Sequence, residues 1–316
     1  MSEKLTMMVI MNPEYTRTPA VLRAMSLAWK LNAQLLLYSF EYDRSLAHAV
    51  RHGFDLDAYL KGRGQKLEEF ADALRAEGFD AKTQVVWAHP LAEHILSSVL
   101  AVQPDYVIKD VHEETAIKRI LFTPLDWQLL RECPAPLMLV REHTGNTPHH
   151  IMAAVDPLDE HNRPMGLNDV ILKVSSMLAM QCDAQVDVVH AFDYVPILAD
   201  AESAAGWVMD NDIYDELRNI HKDALLELGE KYGVEETQMH LLDGRPSAVL
   251  AEFAGRHKVD LVVMGTIYRS RFERLAMGST AEGLLENLDC DVLALKPEGF
   301  REQLTLLIEN AEDQAA

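Results

Sequence analysis

The chain contains two copies of one unit, and this duplication restricts the folds that it can adopt. The segment that starts at Asp105 aligns with the segment that starts at Asp260. The same offset brings further positions into register: Gly78 with Gly233, Leu129-Leu130 with Leu284-Leu285, and Arg141 with Lys296. Near the start of each copy, VIMNP (9–13) corresponds to AAVDP (153–157). A tandem duplication predicts two domains of the same architecture.

Within each copy, short apolar runs alternate with stretches of helical periodicity. The first copy contains the runs TMMVIMN, AQLLLYSF, TQVVW, DYVIK and APLMLV, and the second contains HHIMAAVD, AQVDVVHAF, TQMHLL, DLVVM and CDVLAL. Strands that alternate with helices predict a five-stranded parallel sheet with helices on both faces in each copy. The last strand of each copy is apolar, and an exposed apolar edge invites pairing, so we expect the two copies to pack as an internal pseudo-dimer.

Apolar residues at helical spacing indicate which helix faces are buried. The predicted core positions are Leu22, Met25, Ser26 and Trp29 in the first helix, Leu67, Phe70, Ala71 and Leu74 in a later one, and Leu217, Ile220, Ala224 and Leu228 in the second copy. Gly78 and Gly233 stand where a helix ends in a left-handed residue. We place the first domain at 1–143, a linker at 144–149, the second domain at 150–300 and a tail at 301–316, because HTGNTPHH (143–150) has the composition of a linker.

Charge and composition narrow the classes of function. The formal net charge is −21, with an isoelectric point near 4.9, and such a surface repels nucleic acid and anionic membranes. No apolar run approaches the roughly 20 residues that cross a bilayer, and the first residues lack the apolar core of a signal peptide. The three cysteines form no CxxC pattern, which suits a reducing compartment. These features predict a cytoplasmic protein that binds neither nucleic acid nor membrane.

The segment MGTIYRSRFERLAMGSTAEGLLE (264–286) has the order of groups that a phosphate-binding loop needs. Gly265 directly follows a strand, so the backbone can approach a ligand closely. Gly278, Ser279 and Thr280 open a helical pattern, where backbone N–H groups and hydroxyls can face an anion. Asp156, at the end of the first strand of the second copy, can accept a hydrogen bond from an adenine amino group or a ribose hydroxyl. The same residues also fit a plain helix cap and a strand-to-turn signal.

These residues resemble the signature of the universal stress protein family. The family has an Asp after its first strand and, after its fourth, a Gly-x-x-Gly, nine residues and Gly-Ser/Thr; Asp156, Gly265, Gly278 and Ser279 fall on these positions. The run FTPLDWQLLRECPAPLMLV (122–140) is similar to tandem members. The resemblance implies two Rossmann-like domains of the adenine nucleotide alpha hydrolase-like type, paired through their last strands, with a role in stress survival and no defining reaction.

The resemblance also implies ligand contacts, because some members bind ATP and others do not. ATP and AMP are the candidate nucleotides, Ala191 and Met264 would line the adenine, and Arg269 would lie near the phosphates. Tyr268 stands at the second glycine of the signature. Forcing a side chain into a glycine-only conformation costs roughly 1–3 kcal/mol. The loop is therefore either strained or loses hydrogen bonds to the phosphate. Tyr268 could also stack on a base or fill the cleft.

The first copy departs further from the signature. Asn12 stands for Asp156, Asp110 for Gly265 and Glu113 for Tyr268, and Thr123-Pro124 replaces Gly278-Ser279. Carboxylates repel phosphate, and proline removes one backbone donor. We predict that the first domain binds no ATP in the family manner and is structural or binds a different ligand.

Other readings of the sequence remain open. A weak ATPase would need a positioned base and a metal-binding acid, which the motif lacks. The fourteen methionines could line a cleft for an apolar or lipid-like ligand. His48 and His52 have the spacing of a metal-binding pair, although thirteen histidines make chance pairs common. Residues 193–216 form either a lid or an irregular loop, and a further homodimer is compatible with the internal pseudo-dimer.

Overall fold

The computed structural model describes residues 4–42, 44–50, 52–111, 113–114, 119–120, 122–141, 147–158, 166–193, 211–266 and 279–301. These residues divide into two compact units. Unit 1 contains the described residues up to Thr147 together with 299–301, and unit 2 contains those from Pro148 to Glu298. The domain boundaries proposed from the sequence, and the pairing of the two copies, stay predictions.

Unit 1 alternates strands and helices along the chain. Its elements are β1 (Thr6–Ile10), α1 (Pro19–Leu31), β2 (Gln34–Glu41), α2 (Arg44–Val50), α3 (Leu56–Ala76), β3 (Ala81–Trp87), α4 (Leu91–Val102), β4 (Tyr106–Asp110), β5 (Glu113–Glu114), β6 (Arg119–Ile120), α5 (Pro124–Glu132) and β7 (Leu137–Val140). Five of these strands form a parallel sheet in the order β3-β2-β1-β4-β7. The short β5 and β6 pair antiparallel with each other.

Unit 2 repeats this plan. Its elements are β8 (His150–Ala154), α6 (Leu167–Cys182), β9 (Gln185–Phe192), α7 (Asn211–Lys231), a 3₁₀ turn (Glu236–Gln238), β10 (Met239–Asp243), α8 (Pro246–His257), β11 (Leu261–Gly265), α9 (Ser279–Leu285) and β12 (Asp291–Leu295). The strands are parallel in the order β10-β9-β8-β11-β12. The predicted fold class is confirmed for both copies: each described sheet has five parallel strands in the same order.

This strand order fixes where a ligand can sit. In each sheet the first strand lies between the second and the fourth, so the chain reverses direction of travel across the sheet there. Ligands of such sheets bind beyond the carboxyl ends of the strands at this switch point. We call this end of each sheet its carboxyl edge; it carries Asn12 and Asp110 in unit 1, and Asp156 and Gly265 in unit 2.

The helix ends agree with the sequence more closely than the helix faces do. Gly78 and Gly233 follow helices with φ of 97° and 67°, as predicted. In α1, however, Trp29 is 69% exposed and Leu22 is 37% exposed, so the predicted core face was wrong at these two positions. The helix buries Met25, as predicted, on a face whose other members are mostly small: Ala20, Val21, Arg23, Ala24, Leu27 and Ala28. Small side chains let a helix approach a sheet closely, and this packing outweighed the larger apolar stripe.

A similar error occurs in unit 2. Ile220 of α7 is 47% exposed, whereas Leu225 is buried. The helix carries apolar residues on more than one face, so periodicity alone did not set its phase. The segments 194–210, which hold most of the predicted lid, and 302–316, which hold most of the predicted tail, lie outside the described residues.

Candidate functional site

The switch point of unit 2 brings Asp156 and Gly265 to neighbouring strand ends. Strand β11 pairs with β8 with Met264 opposite Ala154, so Gly265 and the residues after β8 leave the sheet side by side. The Asp156 side chain is 56% exposed. Its backbone is clamped by Asn168 in the first turn of α6: the Asp156 N–H donates to Asn168 Oδ1 at 3.1 Å, and Asn168 Nδ2 donates to the Asp156 carbonyl at 2.8 Å. The clamp fixes the backbone beneath a carboxylate that solvent can reach.

Gly265 is required by packing. A Cβ added to this residue would lie 2.4 Å from Leu167 Cδ2 and 2.8 Å from Leu167 Cγ. Leu167 is the first residue of α6 and is buried. The space beside the glycine is therefore used by a neighbouring side chain of the same unit, and the glycine does not by itself indicate a phosphate site.

The remaining predicted site residues differ in burial, and some of them lie outside the described residues. Ala191 is half-buried near the end of β9, and Met264 is only 5% exposed, in the core. Ser279 and Thr280 begin α9. Arg269 and Gly278, together with Tyr268, lie outside the described residues. The structure thus brings Asp156, Gly265 and the end of β9 together, while the contribution of the loop stays a prediction.

A pair of histidines near Asp156 was missed from the sequence. His190 lies on β9, is 3% exposed, and has Nδ1 at 3.1 Å from the Val155 carbonyl oxygen. Its Nε2 lies 2.7 Å from Nδ1 of His221 on α7. Burial lowers the pKa of both imidazoles, and the Asp156 carboxylate opposes this effect. A histidine inside the apolar run VDVVHAF was the signal in the sequence, because a titratable group in a core strand needs a partner.

A second polar cluster of unit 2 lies at the end of β10, the strand next to β9. The Asp243 carboxylate at the end of β10 accepts hydrogen bonds from Tyr214 Oη at 2.9 Å and from Arg218 Nε at 3.0 Å. The hydrogen bond to Asp243 comes first among the causes that raise the pKa of Arg218. This cation is therefore already neutralised by a carboxylate of its own unit.

In unit 1 the corresponding switch point is occupied by carboxylates of the chain itself. Asp110, the counterpart of Gly265, accepts a hydrogen bond from the Ala20 N–H in the first turn of α1 at 2.8 Å. Asn12, the counterpart of Asp156, is turned into its own loop, where Nδ2 donates to Thr16 Oγ1 at 2.8 Å and Oδ1 accepts from the Thr16 N–H at 3.0 Å. Both side chains are thus engaged within unit 1, whereas the Asp156 side chain of unit 2 is 56% exposed.

The start of α5 in unit 1 is closed in the same way. Thr123 and Asp126 form a reciprocal capping box, in which Asp126 Oδ2 accepts from the Thr123 N–H and hydroxyl at 2.8 Å each. The other oxygen of Asp126 lies 2.8 Å from Lys109 Nζ, in an ion-pair contact without the geometry of a directed hydrogen bond. Asp126 is 0% exposed. An internal carboxylate therefore takes up the free N–H groups at the start of this helix.

A buried network fills the end of β2 in unit 1. Glu41 accepts hydrogen bonds from Ser39 Oγ at 2.6 Å, Tyr15 Oη at 2.8 Å and Arg63 Nε at 2.8 Å. Arg63 also lies 4.2 Å from the centroid of the Tyr15 ring. Burial raises the pKa of Glu41, but the hydrogen bonds from Ser39, Arg63 and Tyr15 outweigh it and the net shift is downward. Burial also raises the pKa of Tyr15 to about 12.

The other sequence candidates find little support. Within the described residues, no group of three or more His, Cys, Asp or Glu side chains has a metal-binding arrangement. The rings of His48 and His52 stand 4.6 Å apart. No helix in the described part of the chain is long and apolar enough to cross a membrane.

Comparison with known proteins places this geometry in context. The sequence profile described as "Universal stress protein family" matches residues 6–141 and 149–296. Universal stress protein E of Escherichia coli K12 is 28% identical over 312 residues, which cover 95% of this chain and 96% of that protein. A functionally unknown protein from Pseudomonas aeruginosa PAO1 matches with a TM-score of 0.73 and 24% identity over 96% of this chain and 97% of its own. A universal stress protein from Archaeoglobus fulgidus DSM 4304 matches with a TM-score of 0.63 and 15% identity, over 92% of this chain and 98% of its own. These two structures show likeness of fold.

Proposed function

The chain belongs to the universal stress protein family, and on this premise we propose that it is a non-enzymatic, cytoplasmic stress-response protein that works by binding a small ligand in unit 2. The ligand class that we propose is an adenine nucleotide, ATP or AMP. Unit 1 binds no nucleotide in this manner and supports the fold.

One observation carries the proposal: among the described residues, the carboxyl edge of unit 2 presents a solvent-exposed carboxylate, whereas the carboxylates of unit 1 are engaged within their own unit. Asp156 is exposed on a clamped backbone, whereas Asp110 and Asp126 occupy the equivalent region of unit 1 from within. A ligand needs a polar group that is held in place and reachable. The sequence contains no GxxxxGK[ST] loop and no HExxH motif, which supports binding without turnover.

The test is to compare binding of ATP and AMP by the wild type, Asp156→Ala and the matched unit 1 variant Asn12→Ala, by isothermal titration calorimetry. A hydrogen bond to a charged group contributes about 1.5–3 kcal/mol, so Asp156→Ala is expected to weaken binding by about tenfold or more. Asn12→Ala is expected to leave the affinity unchanged, because Asn12 is engaged with its own loop. Phosphate release with Mg-ATP is expected to be absent.

Two outcomes would reject the proposal. The first is failure of the wild type to bind either nucleotide, and the second is an equal loss in both variants. Native mass spectrometry of the purified chain would show whether a nucleotide, a different ligand or nothing is retained. If the chain retains a lipid-like ligand with a carboxylate head group in place of a nucleotide, a separate cavity of about 220 Å³ in unit 2 becomes the binding site to consider. Its lining combines cationic and apolar side chains, among them Arg218, Lys222, Leu225, Leu226, Met239 and Leu241.

A further inference from the structure

A cavity of about 220 Å³ in unit 2 is lined by α7, by β10 and by the 3₁₀ turn before it. Its apolar wall consists of Leu225 and Leu226 on α7 and of Met239 and Leu241 on β10. Leu225 is buried, and the other three side chains are half-buried. The described lining shares no residue with the proposed nucleotide site, so the cavity is a separate candidate site.

The helix that forms this wall differs from its counterpart in unit 1. In the register that aligns the two copies, α3 and α7 begin and end at matching residues. Leu67 and Leu74 of α3, each 0% exposed, then correspond to Lys222 and Gly229 of α7. A Cβ added to Gly229 would collide with the end of the Met239 side chain. Space that unit 1 fills with two core leucines is therefore left in unit 2 to Met239 and to the cavity.

Charged side chains of both signs stand beside the apolar wall. Lys222 and Glu236 line the cavity and are exposed. In the part of the chain that the structure describes, no ion pair involves either of them. Arg218 also lines the cavity, but the carboxylate of Asp243 binds its guanidinium. The cavity thus offers one ammonium and one carboxylate to a ligand, next to four apolar side chains.

We propose that this cavity binds a free α-amino acid with an aliphatic or thioether side chain, such as leucine or methionine. The ligand carboxylate pairs with Lys222, the ligand ammonium pairs with Glu236, and the side chain packs on the apolar wall. This inference goes beyond the proposed function, because both the cavity and the class of ligand are different.

The size of the cavity agrees with such a ligand. A cavity of about 150 Å³ with apolar walls accommodates benzene, which has six carbon atoms. By proportion, a cavity of about 220 Å³ accommodates about nine non-hydrogen atoms, the size of leucine or methionine. A simple carboxylic acid of this size would pair with Lys222 but would bring a second negative charge to Glu236, and like charges repel.

Methionine methyl NMR of the full chain shows which site a ligand enters. Met239 lines the cavity, whereas Met264 precedes Gly265 at the end of β11. In a chain with ¹³C-labelled methionine methyl groups, the variants Met239→Leu and Met264→Leu identify the two signals. We expect leucine to shift the Met239 signal to saturation and to leave the Met264 signal in place. A Met239 signal that does not respond to leucine or methionine would overturn the inference, whether or not AMP binds.

Two analogues of leucine then test the two charges. The first, 4-methylpentanoate, lacks the ammonium, and the second, 3-methylbutylamine, lacks the carboxylate. An ion pair between exposed groups contributes up to about a factor of five in affinity. From the titration of the Met239 signal, we expect the wild type to bind leucine about two to five times more tightly than either analogue.

Variants assign each charge of the ligand to one residue. Glu236→Gln should remove the preference for leucine over 4-methylpentanoate, and Lys222→Gln should remove the preference over 3-methylbutylamine. The matched controls are Glu227→Gln and Lys173→Gln, which change exposed residues of unit 2 outside the lining. Both controls should keep both preferences.

The outcomes are independent of the nucleotide site. If 4-methylpentanoate binds as tightly as leucine, or if Glu236→Gln keeps the preference for leucine, the assignment of an amino acid is overturned. The proposed function is judged by the binding of AMP and its dependence on Asp156, and none of these results changes that judgement.

Discussion

The described residues at the two carboxyl edges of this chain differ in how their carboxylates are engaged. In unit 1, Asp110 binds the first turn of α1 and Asp126 caps α5, while Glu41 is bound by Arg63. In unit 2, Asp156 reaches solvent, and the hydrogen-bonded pair of His190 and His221 lies beside it. The N-terminus of a helix attracts an anion through its free N–H groups and its dipole. Unit 1 satisfies this attraction with its own carboxylates, which is why we predict that it does not bind phosphate there.

The same contrast appears at the first helix of each unit. The N-cap of α1 is Thr18, which accepts from the Val21 N–H, and Asp110 adds a second acceptor. The N-cap of α6 is Gly166, with no side-chain hydrogen bond to the cap. Leu167 then packs on Gly265. The residue at the end of the fourth strand therefore makes a charged hydrogen bond in unit 1, through Asp110, and an apolar packing contact in unit 2, through Gly265.

The largest effect that we expect comes from removing the internal anion of unit 1. Asp126→Ala deletes the acceptor of the capping box and leaves Lys109, which is nearly buried, without its carboxylate partner. Breaking a buried ion pair from one side costs about 3–5 kcal/mol. We expect a loss of this size in the free energy of unfolding, measured by urea denaturation. Hydrogen exchange should place the loss in α5 and β4.

The matched control is Asp57→Ala, which removes an exposed carboxylate from the first turn of α3. Exposed substitutions of this kind usually stay within about 0.5 kcal/mol. Similar losses in the two variants would show that Asp126 acts only as a first-turn charge. The inference that its buried contacts with Lys109 and Thr123 stabilise unit 1 would then be contradicted.

The sequence predicted the architecture because duplication and strand-helix alternation are strong, repeated signals. It also identified the positions at which the first copy departs from the family pattern: Asn12, Asp110, Glu113 and Thr123-Pro124. It did not predict the Glu41 network, because Tyr15 and Arg63 reach Glu41 from distant positions in the chain. The faces of α1 and α7 were misjudged at Leu22, Trp29 and Ile220 because those helices carry apolar residues on more than one face. Contacts between distant residues and the choice between two apolar faces depend on packing, which periodicity does not encode.

A smaller effect is expected at the glycine of unit 2. Gly265→Ala would place a methyl group against the buried side chain of Leu167. Overpacking of this kind costs typically about 1–3 kcal/mol. We expect the free energy of unfolding to fall by this amount, and the double variant Gly265→Ala/Leu167→Ala to lose less than the two single variants added together.

Gly255→Ala serves as the control within the same unit, because an added Cβ there meets nothing within 4 Å in α8. Alanine is favoured over glycine inside a helix, so this variant is expected to be unchanged or more stable by up to about 1 kcal/mol. If Gly265→Ala is equally harmless, the glycine is not needed for packing, and close approach of a ligand becomes its better explanation.

The smallest effect concerns pH and distinguishes the His190 pair from the Glu41 network by the pH range in which each lowered pKa affects stability. Burial lowers the pKa of His190, so the unfolded chain takes up a proton at this residue near its ordinary pKa of about 6.5 before the folded chain does. Its contribution to stability is full above that pH and is lost as pH falls through the lowered folded pKa. The pKa of Glu41 is lowered too, with burial opposed by hydrogen bonds from Ser39, Arg63 and Tyr15. Its contribution is full above about pH 4.5 and is lost only at more acidic pH.

Hydrogen exchange, corrected for intrinsic rates, checks this difference between pH 7.5 and pH 5.5. The free energy of opening of β9 should fall by about 1 kcal/mol, the size of a neutral hydrogen bond, while that of β2 stays unchanged. His190→Gln should remove this dependence from β9, and an unchanged slope in that variant would show that other histidines of unit 2 cause it.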